Sequence, residues 1–282
     1  MLHDDTARSG DVGSSDADMG VTPPTPHRRP LLRAIATRAA ALVIFVAAWQ
    51  LVVISGWKPQ FLVPSPFTVL DALVRDPGAF AHDAGISVSR AAIGLGAAIV
   101  VGGVIGLVAA WVRPLRAPLR SLVAGLRTLP PVVWYPAALI AIGLSTPAIL
   151  LVIVVGAAPL IALGIIEGIA EVPVRADGTT DGARVARLRL VALPAAAPRM
   201  LAGLRSGWAA CWAALLTGEL LLTLPSLGLG GQLALNRGLN DYVAVYEGMI
   251  VIFLIGVIVD GAIFGGLAAL LRRREPVAAA GA

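Results

Sequence analysis

The chain has 282 residues, 57% of them hydrophobic and only 14% charged, with a mean hydropathy of +0.84. A soluble domain carries about a quarter of its residues as Asp, Glu, Lys and Arg, so this composition excludes an ordinary soluble fold, a wholly disordered chain and a collagen-like one. The 22 basic and 17 acidic residues, +5 overall, do not point to nucleic acid, because the bases sit between apolar runs rather than on one face. The chain reads as an integral membrane protein with lipid as a partner and no nucleic acid.

Cys211 is the only cysteine, which forbids an internal disulfide and a cysteine-rich metal centre. The histidines, His3, His27 and His82, all lie outside the long apolar runs. Bilayer haem, membrane zinc proteases and Ser-His proteases each need a buried His. No catalytic residue, metal ligand or cofactor is therefore expected.

Residues 1–30 mix Asp4, Asp5, Asp11, Asp16 and Asp18 with Gly, Ser, Thr and a Pro-rich stretch, and read as a disordered tail. Arg28, Arg29, Arg33 and Arg38 precede the apolar run Ala39–Trp57, read as an uncleaved first span because no small-x-small cleavage site follows it. Segment 58–90 contains Pro64-Ser65-Pro66 and then Val69, Leu70, Leu73 and Val74, the spacing of a short interfacial helix. Ala91–Val112 is uncharged, as is Thr128–Ile166, which is long enough for two crossings divided at Gly143–Pro147. Ser206–Leu224 and Gly248–Leu271 each hold one acid, Glu219 and Asp260. The expected fold is all-α, a polytopic membrane bundle of about six spans near 35–57, 88–112, 122–143, 147–167, 200–222 and 246–271. The membrane domain covers 31–275, and a short tail covers 276–282.

Eighteen of the 22 bases fall in the N-terminal tail, the 2–3 and 4–5 connections and the C-terminal end. That bias predicts a multi-pass protein of the cell (plasma or inner) membrane with both termini cytoplasmic. The 4–5 connection, 168–199, is too long to be only a link. After Asp177 and Asp181 it places Val185, Leu188 and Ala192 on one helical face and Arg184 and Arg187 on another, and Leu193-Pro194 is expected to end the pattern.

Four stretches carry a resemblance over residues 60–272. They are Phe61–Pro66 with Val69 and Leu73; Leu126–Pro136, rich in proline; Glu219 followed by Ser226-Leu227-Gly228-Leu229-Gly230-Gly231; and Asp241–Met249 with Asp260 beyond. Together they resemble the permease subunit of a binding-protein-dependent ABC importer, of the taurine, alkanesulfonate and nitrate type. The resemblance implies a type I importer permease fold, a second copy forming a homodimer, cytoplasmic ABC ATPase subunits and an extracytoplasmic solute-binding protein. It also implies alternating access driven by ATP hydrolysed elsewhere, since the chain lacks a Gly-x-x-x-x-Gly-Lys-Ser/Thr loop. The family's coupling signature corresponds to Gly182-Ala183 and Leu193-Pro194, with Asp177 or Asp181 in the place of a missing glutamate and Arg184 and Arg187 as contacts to the ATPase. The spacing from Gly182 to Pro194 is one residue shorter than the signature.

Each remaining polar or aromatic residue has two readings. Glu219 is a hydrogen-bonded structural acid near the outer interface or a contact in the translocation pathway. Trp212, four residues from Trp208, is packing or pathway. Arg205 is a ligand for an anionic solute or a partner of lipid headgroups. Asp260 is expected to form an ion pair, and Gly102, Gly103 and Gly106 to put small residues on nearly one face for close helix packing. A membrane enzyme lacks a nucleophile or paired acids here. A passive structural or regulatory subunit does not explain the patterned 4–5 connection.

Overall fold

The computed structural model describes residues 29–170, 193–222 and 224–271. Contacts divide the chain into two compact units, Met1–Ala48 and Trp49–Ala282. In chain order the helices are α1 (Arg29–Ile54), α2 (Pro66–Arg75), α3 (Ala81–Trp111), α4 (Arg113–Leu126), a 3₁₀ turn (Pro131–Trp134), α5 (Tyr135–Ile142) and α6 (Thr146–Ala170). They continue with α7 (Leu193–Leu221), α8 (Leu229–Gly238) and α9, apolar over Tyr242–Leu271. No strand occurs among the described residues.

Three described helices, α3, α6 and α9, are each long and apolar enough to cross a membrane. Of the span expected at 35–57, Ala39–Ile54 forms a shorter apolar helix among the described residues. The one expected at 122–143 is broken. Pro114–Leu126 and Pro131–Ile142 meet at 93°, because Pro130 and Pro131 supply no amide hydrogen and push the preceding residue out of the helical region. The one expected at 200–222 is α7, a 29-residue helix that carries Arg199, Arg205 and Glu219. Leu193-Pro194 opens α7, since proline is tolerated in a first turn, where its missing donor would have no intrahelical partner, and the pattern it was expected to end lies outside the described residues.

Local sequence explains several boundaries. Ser65 caps α2 by accepting from the Thr68 amide at 3.1 Å, with Pro66 in the first turn. Gly143, at φ +80°, ends α5 in a conformation that side chains disfavour. Asp241 caps α9 by accepting from the Ala244 amide at 3.1 Å.

α6 is apolar all round, which suits an interior position. Its most apolar stretch is 67% buried, against 6% for that of α9. Small residues bring α3 and α7 onto it. A Cβ on Gly102 would stand 2.5 Å from the Ala158 carbonyl oxygen, and one on Gly106 would stand 2.7 Å from Ile165 Cβ. Gly164 and Gly203 face each other so closely that a Cβ on either would lie 2.8 Å from the other's Cα. Gly103 points to open space, which corrects the expectation that it shares the packing face with Gly102 and Gly106.

Candidate functional site

α3 places Ser87 and Arg90 three residues apart, hence on one face, and both are buried against Glu219 of α7. Arg90 Nη1 donates to Glu219 Oε1 at 2.8 Å, and Ser87 Oγ donates to Oε2 at 2.7 Å. The Gly230 amide reaches the same Oε2 at 3.1 Å. Arg90 Nη2 donates to the Ser226 carbonyl and hydroxyl oxygens, and the Leu229 amide donates to Ser87 Oγ. One buried ion pair thus ties α3, α7 and the glycine-rich loop 226–231 together, with both carboxylate oxygens occupied.

The glycines of that loop are there for room. A Cβ on Gly228 would lie 2.2 Å from Glu219 Oε1, and one on Gly230 would lie 2.7 Å from the Leu216 carbonyl oxygen. The proline-rich stretch docks beside them. Pro131 lies against Gly156 of α6, and the Tyr135 hydroxyl donates to the Ala214 carbonyl at 2.5 Å. Gly218 leaves space for the Tyr135 ring. The Phe61–Pro66 stretch attaches to the start of α9: Trp49 Nε1 donates to the Pro64 carbonyl at 3.2 Å, Trp49 stacks on Tyr246 with centroids 5.3 Å apart, and Phe61 meets Tyr242.

The second ion pair is more open. Arg205 on α7 makes a two-pronged pair with Asp260, where α9 loosens into a π-helical turn over Val259–Phe264. Side-chain exposures of 54% and 41% set this pair apart from the sealed Arg90–Glu219 pair. One and two turns along α7, Trp208 and Trp212 are buried and stacked at 5.5 Å, and Trp212 Nε1 lies close to Gly256 of α9. Arg205 therefore meets a carboxylate on a neighbouring helix, where the sequence pointed to headgroups or solute.

Of the coupling residues, Asp177, Asp181, Gly182, Ala183, Arg184 and Arg187 lie outside the described residues, and Leu193 and Pro194 begin α7. Sequence reasoning missed Ser87 and Arg90 as partners of Glu219, and Ser226 as a partner of Arg90. A signal existed: Arg90 at the mouth of an apolar run needs an acid, and Glu219 and Asp260 are the acids the late runs provide. No cluster that could hold a metal ion occurs among the described residues, and the arrangement offers no nucleophile with a general base.

The family described as the inner membrane component of binding-protein-dependent transport systems matches residues 102–275. The chain belongs to that family. It is an ABC importer permease with the type I fold. Among its relatives are the taurine transport system permease protein TauC of Escherichia coli K12, 28% identical over 88% of this chain and 92% of its own, and the nitrate import permease protein NrtB of Synechocystis, 27% identical over 79% and 84%. The putative aliphatic sulfonates transport permease protein SsuC of Bacillus subtilis is 26% identical over 77% and 80%. The ion pairs and glycine contacts of this permease therefore belong to a transport subunit.

Proposed function

We propose that the chain forms half of the translocation pathway for a small anion, such as taurine, another sulfonate, nitrate or bicarbonate. Two copies enclose the pathway, an external binding protein delivers the solute, and two cytoplasmic ATPases drive alternating access. The observation that carries this reading is that relatives named for taurine, nitrate and aliphatic sulfonate transport align with most of the chain. Both termini lie in the cytoplasm, as the basic-residue bias favours.

Segment 168–199 is the coupling element. Gly168 at the end of α6 lies against Ala196 of α7, where a Cβ would be 3.0 Å from the Ala196 Cβ, so the connection leaves and returns at one point. Gly182-Ala183 lets the ATPase approach closely, while Asp177, Asp181, Arg184 and Arg187 set the charge of the contact. Arg205 and Trp212 belong to the pathway. Glu219 holds the glycine-rich loop and does not touch solute.

Purification in mild detergent tests the assembly. A second copy and a P-loop ATPase should accompany the chain, and Gly182→Glu should release the ATPase while the protein still inserts in the membrane. A monodisperse monomer that retains no ATPase from native membranes would contradict the proposal.

A further inference from the structure

Arg205 and Asp260 both lie well inside their helices. At 1.5 Å per residue, Arg205 stands about 18 Å from the start of α7 and Asp260 about 17 Å from the end of α9. A hydrocarbon core of about 30 Å, centred on helices of 29 and 30 residues, encloses them both. Charges at that depth face the bundle interior or water rather than acyl chains. With side chains 54% and 41% exposed, the open side of this pair looks onto water. That space is the pathway in the reading proposed above, on which this step rests. We propose that Asp260 competes with the solute for Arg205: it holds the guanidinium while the pathway is empty, and the anion takes its place.

The geometry suits such an exchange. Arg205 donates from Nε and Nη2, one to each carboxylate oxygen of Asp260. That donor spacing fits any oxyanion with two oxygens on one atom, which includes sulfonate, nitrate and bicarbonate. Among the described residues neither side chain has a further hydrogen-bond partner. The Arg90–Glu219 pair is the contrast, since it is buried and Ser87, Ser226 and Gly230 also hold it. An ion pair open to water contributes little, so parting Arg205 from Asp260 costs little, whereas parting the sealed pair costs much. While Asp260 stays, the two charges cancel and an arriving anion gains little. Once it leaves, one guanidinium fork is free for the anion. The competition keeps affinity low, as a pathway that must release its solute requires.

The backbone allows the movement. Asp260 lies within the π-helical turn Val259–Phe264, a loosened register frequent at functional sites. Gly261 follows it, and a Cβ there would meet nothing within 4 Å. A local change of turn therefore swings Asp260 away from Arg205 without shifting the whole of α9.

The test uses the full-length chain in mild detergent and a buffer free of sulfonates and carboxylates. Methanesulfonate and nitrate are titrated by isothermal calorimetry, with tetramethylammonium as the cation control. Asp260→Asn should bind at least one of the two anions about fivefold or more tightly than wild type, because the competitor is gone. Arg205→Gln should bind neither. Adding Arg205→Lys to Asp260→Asn keeps the positive charge but removes the fork, and should cancel the gain. A purely structural pair predicts no gain, so anion binding no tighter in Asp260→Asn than in wild type overturns the proposal. A gain that survives in the double variant, or that tetramethylammonium shares, overturns it as well. Should Asp260→Asn fail to fold, the wild-type chain decides. Saturating methanesulfonate or nitrate must then speed amide hydrogen exchange across Val259–Phe264 as Asp260 comes free, and unchanged or slower exchange overturns the proposal. Binding is read without transport, so uptake independent of ATP counts against the importer reading and leaves the exchange standing. ATP-driven uptake with no gain in Asp260→Asn does the reverse.

Discussion

Glu219 and Arg90 are both almost wholly buried and meet at 2.8 Å, so each is tolerated inside the bundle only because of the other. Taking one charge from a buried pair costs about 3–5 kcal/mol, since the remaining charge stays buried without compensation. Glu219→Gln should therefore lower the thermal unfolding midpoint in detergent sharply. The double change Arg90→Met with Glu219→Leu should lose less than the two single changes added together, which a double-mutant cycle would measure. A Glu219→Gln protein that melts like wild type yet no longer transports would make Glu219 a solute contact instead. Gly228→Ala should harm the same region, because its Cβ would fall 2.2 Å from Glu219 Oε1, whereas Gly238→Ala meets nothing within 4 Å and should be near neutral in the same melting assay.

Between elements, the deciding contacts are those of small residues on α6. Gly102→Ala would push a methyl group against the Ala158 backbone carbonyl. Overpacking of this kind costs about 1–3 kcal/mol, while Gly103→Ala, facing open space, should change stability by about 0.5 kcal/mol or less; melting curves of the two variants check the contrast. The sequence shows the small residues plainly but not which of two neighbours faces inward, because adjacent positions differ by about 100° around a helix. Other features were easier to read. Ser65-Pro66 announces α2 through cap chemistry, and Gly143 announces the end of α5 through its need for positive φ. The bend at Pro130-Pro131 escapes a count of apolar residues, since proline interrupts geometry without lowering hydrophobicity. The Arg90–Glu219 pair spans 129 residues of chain, and no local pattern encodes a contact at that distance; only the scarcity of charge inside the runs hints at it.

For the molecule as a whole, transport requires a bundle of fixed orientation and an external source of energy. Single cysteines in a Cys211→Ser background test the first. Gln60→Cys and Arg237→Cys, both at exposed positions, should react with an impermeant maleimide added to intact cells, and Thr179→Cys should react only after the membrane is opened. Labelling of Thr179→Cys from outside would reverse the orientation and with it the coupling role of 168–199. Uptake in sealed proteoliposomes tests the energy source. The permease is reconstituted with its co-purifying ATPase inside and its solute-binding protein outside, and labelled taurine, nitrate and an alkanesulfonate are offered in turn. At least one of these anions should accumulate, with a need for ATP in the lumen, and accumulation should cease when the binding protein is omitted. Uptake of the anion that persists without ATP or without the binding protein would contradict that requirement.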